Sequence, residues 1–112
     1  MKTASITANL NYLEDRPAVS VLLKTDSTKE VRILMKKGQQ MKEHKAPFPI
    51  VVELFEGLID FGVAGEKQQL KRGDLIALEA SVPHDLFCIE DAIIRLTIST
   101  ADSVDRVKNV AN

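Results

Sequence analysis

An all-β domain is what this sequence predicts, on three observations. Most of the chain between residues 19 and 99 alternates apolar and polar side chains with a period of two. The alternating runs are short, and turn-forming residues separate them at roughly the 8–12-residue spacing of a sandwich or barrel. No stretch in that range has the length and 3.6-residue periodicity of a long helix.

The strands expected in order are VSVLLKT at 19–25, KEVRILMKK at 29–37, PIVVELFE at 49–56, LIDFGVA at 58–64, DLIALEA at 74–80, HDLFCIE at 84–90 and AIIRLTIS at 92–99. Turn formers fall between them: Asp26-Ser27-Thr28, Gly38, Gly57, Gly65, Lys71-Arg72-Gly73-Asp74 and Glu90-Asp91. The two-residue period also assigns faces. With His44 inward, Lys42 and Ala46 share its side. Ile50, Val52 and Leu54 then form one row, with Val51, Glu53 and Phe55 on the other, and His84, Leu86 and Cys88 form a row on their own strand. Residues 1–18 read as an N-terminal extension. Residues 100–112 read as a tail in which Val104, Val107 and Val110, behind Ser and Asp caps, suit one short helix or a frayed end.

Composition bounds the function. A chain of 112 residues with 45% apolar and 28% charged side chains suits one folded domain, 1–112, with its core about 19–99. Fifteen basic against sixteen acidic residues give no field to collect nucleic acid, and one Tyr and four Phe give little stacking surface. No apolar run approaches the ~18 residues that span a bilayer, and the first residues lack a secretory apolar segment, so a cytoplasmic location is expected. The single cysteine, Cys88, rules out an internal disulfide and CxxC motifs, and no adjacent Lys or Arg marks it as a reactive thiol, so it reads as core.

The chemistry-bearing residues lie in two clusters. One runs from Gly38 through His44 to Glu56-Gly57; the other runs from Leu70-Lys71-Arg72-Gly73-Asp74 to Val82-Pro83-His84. In order and spacing, these resemble the two motifs of the cupin superfamily over roughly residues 30–99. The resemblance implies a small antiparallel cupin-like barrel of the RmlC-like kind, a double-stranded β-helix or jelly roll, and a homodimer. It also implies a metal site of three histidines and a glutamate. Laid on this chain, His44 and His84 stand where two of those histidines stand, while Ala46 and Ile50 occupy the positions of the third histidine and the glutamate. Glu79, Ser81 and Cys88 replace the Pro, Gly and Asn of the second motif.

The pocket expected from this alignment is bounded by His44, Ala46, Ile50, Val52, His84 and Leu86. Two histidines alone are short of the three protein ligands of a catalytic metal site. Glu79 is the nearest further candidate by motif position. Two readings follow. One is a small-molecule binding or sensing module with an apolar pocket. The other is a metal-dependent dioxygenase or isomerase in which His44 and His84 hold Fe, Mn, Ni or Zn. A third possibility is that the dimer itself is the functional product. Asp85 cannot serve His84 as in a Ser-His-Asp triad, because adjacent strand residues point to opposite faces. Lys36, Lys37, Lys42 and Lys45 read as a solvated edge. Apolar residues on both faces of several strands imply that the outer face is covered as well, by a second sheet or another subunit.

Overall fold

A computed structural model describes residues 1–112. Seven strands and one helix follow in order: β1 (Ala18–Lys24), β2 (Thr28–Met35), β3 (Gln40–His44), β4 (Ile50–Val63), β5 (Glu66–Lys71), β6 (Leu75–Leu78), β7 (His84–Ser99) and α1 (Val104–Ala111). All strand pairs are antiparallel.

The two long strands organise the rest. The first half of β7 pairs with β3 (Gln40 opposite Phe87, His44 opposite His84), and its second half pairs with β2, from Met35 opposite Ala92 to Thr28 opposite Ser99. Likewise the first half of β4 pairs with β6 and its second half with β5. Because β4 and β7 also pair with each other, from Val51 opposite Thr97 to Val63 opposite His84, the strands form two sheets, β1-β2-β7-β4-β6 and β3-β7-β4-β5. These share both long strands, and their inner rows meet in one cluster of 19 buried apolar residues. The connected ladder runs from β1 to β5 without closing into a ring.

Two of the expected turns prove to be bends inside strands. The runs at 49–56 and 58–64 are one strand, as are those at 84–90 and 92–99. The register of β4 against β7 shifts between Leu54 and Ile59, which reverses the inward parity of β4 from even (Ile50, Val52, Leu54) to odd (Ile59, Phe61). Gly57 permits this. Its φ is 100°, and a Cβ placed there would lie 2.3 Å from the Asp91 carbonyl oxygen of the facing strand.

Two further expectations need correction. β5, EKQQLK, shows almost no apolar alternation, yet it pairs along β4 through the tight Ala64-Gly65 turn, where both residues have positive φ. On β3 the register against β7 shifts between Met41 and His44, so Met41 is buried and Lys42 is exposed. Lys42 therefore does not share the inward side of His44.

Both terminal segments pack on the sheets. The Ser103 hydroxyl caps α1 by accepting from the Arg106 N–H, and Asp105 in the first turn and Lys108 in the last complement the helix dipole. Val107 and Ala111 face the core, and the helix rests on β1 and β3. Arg32, 7% exposed, reaches from β2 to the N-terminal segment and donates to the carbonyls of Ile6 (3.2 Å), Ala8 (2.7 Å) and Asn9 (3.0 Å). Ala4 and Ile6 border a groove with Phe55, so the chain's own N-terminal segment supplies part of the cover expected over the outer face. Beside them Arg95 bridges Glu53 (2.8 Å) and Glu30 (2.7 Å) across three strands.

Gly57→Ala should lose about 2–4 kcal/mol of unfolding free energy, since it adds both backbone strain and a collision with a paired strand. Gly38→Ala, with a φ of 89° and open space around it, should lose about 1 kcal/mol. Urea unfolding followed by circular dichroism measures both. Equal losses would show that the bend does not depend on the close approach at Asp91.

Candidate functional site

The site begins with a pairing register. His44 ends β3 and His84 opens β7, and the two are directly opposite on adjacent strands. Their ring centroids are 4.2 Å apart at an interplanar angle of 61°. Phe61, from the second half of β4, stacks on His84 at 5.5 Å with its ring nearly parallel, at 8°.

Each imidazole is fixed by its own backbone neighbourhood. His44 Nδ1 lies 2.7 Å from the Lys42 carbonyl oxygen, and His84 Nδ1 lies 3.0 Å from that of Val82. A carbonyl only accepts, so each Nδ1 carries the proton and each Nε2 is left with an unshared pair. Neither Nε2 has a protein partner, and neither is sealed off: Arg32 Nε is the one fully buried side-chain nitrogen or oxygen without a partner. Burial holds both histidines below the ordinary value of 6.5; the backbone hydrogen bond opposes this, and the positive charge of Arg106 adds to it. Near neutral pH the pair is uncharged.

The cavity into which they open is small and mostly apolar. His44 and His84 share its wall with Met41, Ile50, Val52, Leu86 and three more aliphatic residues of the sheets, while Arg106 and Val107 of α1 close it. A water-sized sphere can move its centre through about 20 Å³ of it. That exceeds the ~10–15 Å³ needed by one water and is far below the several hundred Å³ of a drug-sized pocket. Arg106 is the only charged side chain on the wall. Its Nε and Nη2 donate to the two carboxylate oxygens of Asp102, both at 2.8 Å, and its Nη1 donates to the Lys45 carbonyl oxygen at 3.2 Å. Burial raises the Asp102 carboxyl, but the hydrogen bonds from Arg106 and the Ser103 N–H, with the charges of Arg106 and Lys29, bring it below the ordinary carboxylate range.

Five of the six residues expected around the pocket, His44, Ile50, Val52, His84 and Leu86, line this cavity. Ala46 is buried beside it without lining it, its carbonyl taken by the Ser81 N–H. Glu79 lies elsewhere, exposed in an open groove along β6 with Ser27, Pro49 and Thr97, and so does not join the histidines. Cys88 is wholly buried, its thiol pushed up to about 11 first by burial and then by Asp91, as suits a core residue. Met41, Phe61 and Arg106 escaped the sequence reading. The bulge in β3 hid Met41, the parity reversal in β4 hid Phe61, and Arg106 reaches the cavity only because a terminal helix docks there.

The residues present do not fit the metal centre that the fold implies. Two Nε2 atoms with anchored Nδ1–H groups are suitable ligands for a transition metal. Yet no three His, Cys, Asp or Glu side chains come together anywhere in the chain, and a guanidinium shares the cavity with the imidazoles.

Comparison with solved structures identifies the fold. An RmlC-like cupin from Desulfovibrio desulfuricans superposes with a TM-score of 0.79 at 20% identity, covering 88% of this chain and 96% of that one. A double-stranded β-helix protein from Klebsiella pneumoniae gives a TM-score of 0.76 at 19% identity, covering 88% and 89%. KdgF from a Halomonas species gives 0.70 at 18% identity, covering 80% and 84%. The chain has the cupin fold, here with an open ladder. No family model and no curated protein sequence matches it. No helix is long and apolar enough to cross a membrane.

The lowered histidine values fix the sign of a pH effect. Between the folded and unfolded values the unfolded chain binds more protons, so stability rises with pH through that window and is lost as pH falls below about 6.5. In the variant His44→Gln/His84→Gln, the urea midpoint should vary less between pH 7.5 and 5 than in the wild type. An unchanged pH slope would show that the imidazoles are not held neutral by the fold.

Proposed function

We propose that the protein is a small-molecule binding module in which the His44–His84 pair is the recognition element. The observation that carries this reading is the pair of unpartnered Nε2 atoms set in an otherwise apolar wall. Apolar surface supplies affinity there, and a few fixed polar atoms supply orientation. Neutral imidazoles locked as Nδ1–H tautomers accept hydrogen bonds through Nε2, so the ligand must bring an N–H or O–H to them. The size of the cavity limits what enters to a small molecule or the terminal group of a longer one. The shortage of metal ligands favours binding over metal-dependent turnover.

Ligand-observed NMR with a library of small neutral and charged fragments tests this. Fragments should bind the wild type and lose at least about tenfold in affinity in His44→Ala, with the folded spectrum of the variant retained. Elemental analysis of tag-free protein should find metal well below one equivalent. One equivalent of Fe, Mn, Ni or Zn, lost in His44→Ala/His84→Ala, would replace the binding module with a metalloprotein. Fragment binding indifferent to both histidines would also sink the proposal.

A further inference from the structure

We infer that the ligand of this cavity is a small carboxylic acid, its carboxylate held by Arg106 and its proton by the His44–His84 pair. The inference rests on the binding reading above and names the ligand class for the same site.

Three features of the cavity point to an anion. Its only charged wall residue is Arg106, and no acidic side chain lines it. Asp85, the acid whose charge reaches both histidines, has its carboxylate against Gly62, where a Cβ would meet Oδ1 at 2.4 Å. Asp102 grips Arg106 with both oxygens and has a side chain only 1% exposed. An arginine fixed in this way is a preorganised receptor, since its own flexibility is already spent.

The donor count suits a group with two oxygens, and the size of the cavity favours a small planar one. A guanidinium has five N–H groups. Asp102 takes one from Nε and one from Nη2, and Lys45 takes one from Nη1, which leaves one each on Nη1 and Nη2. Two N–H groups without a protein partner are as many as the two oxygens of a carboxylate require. About 20 Å³ beyond the walls suits the head of such a molecule and little more.

The histidines complete the charge balance. As neutral acceptors they would repel a bare carboxylate through their Nε2 lone pairs. The acid is therefore held in its protonated form: the carboxylate takes up one proton from solvent and donates it as an O–H to an Nε2, the imidazoles stay neutral, and no covalent bond forms between protein and ligand. The charged groups around the pair allow this. Asp85 of β7 has its carboxylate against Gly62, Arg106 comes from α1, and Asp102 of the preceding turn is already paired with Arg106. Ile33, Ile50, Val52 and Phe61 of β2 and β4 carry no charge, and Lys42, Glu43 and Lys45 near the end of β3 are exposed.

Isothermal titration of formate and acetate into the wild-type protein is the test, run in two buffers of different ionisation enthalpy between pH 6.5 and 8. Expected is uptake of close to one proton per carboxylate, with affinity falling about tenfold per pH unit above neutrality. Arg106→Gln should weaken acetate at least about tenfold. Because that variant leaves Asp102 buried without its partner, Asp102→Asn/Arg106→Gln serves as the second variant and should lose acetate equally. If acetamide and ethanol bind as well as acetate, without proton uptake and still dependent on His44, the binding module stands and the carboxylic-acid class falls. If nothing binds in a His44-dependent way, both fall.

Discussion

The antiparallel pairing of β4 with β7 is the constraint on which the rest of the molecule depends. These two strands are the only ones long enough to run through both sheets, and each lends one half to either sheet. The bend at Gly57 and Asp91 turns one ribbon into two facing layers without breaking the ladder. That bend needs a residue without a side chain, because the facing backbone comes closer than any Cβ tolerates. Register along β7 then sets the chemistry. Side chains alternate strictly, so a slip of one residue would replace His84 and Leu86 at the cavity with Asp85 and Phe87.

Burying two imidazoles side by side is tolerable because each is neutral and each has its N–H satisfied. A charged pair at 4.2 Å between ring centroids would repel, and an unsatisfied N–H would cost about 1–3 kcal/mol. The backbone solves both problems locally. Each histidine donates to the carbonyl two residues before it, so the tautomer is set by the chain's own course and needs no distant partner. Phe61 stacked on His84 and the aliphatic wall then hold the rings against water, which is the larger cause of their lowered basicity.

The fold was legible in the sequence wherever burial imposes a two-residue period. It failed at β5, where EKQQLK buries only Leu70: a strand near the rim of a sheet is held by its ladder and its turn, and its pattern carries little information. It failed again at Gly57 and Glu90-Asp91, because a bend within a strand and a turn between strands use the same residues. The histidine pair came from motif spacing. Arg106 could not have come from it, since the docking of α1 on β1 and β3 is a tertiary event, and valines at i, i+3 and i+6 say which face of a helix is apolar without saying where that face rests.

The substitutions in the cupin motif and the arginine from α1 make one physical picture. Ala46 and Ile50 remove an imidazole and a carboxylate from the positions that would favour a divalent cation, and Ile50 lines the cavity as an aliphatic wall. Glu79, the acid nearest by motif position, is in another groove. With those groups gone, no negative charge on the wall offsets a cation placed near the Nε2 atoms, and Arg106 adds a positive one. Its charge depresses both histidines. A site of this sign stabilises negative charge and resists protonation of the histidines.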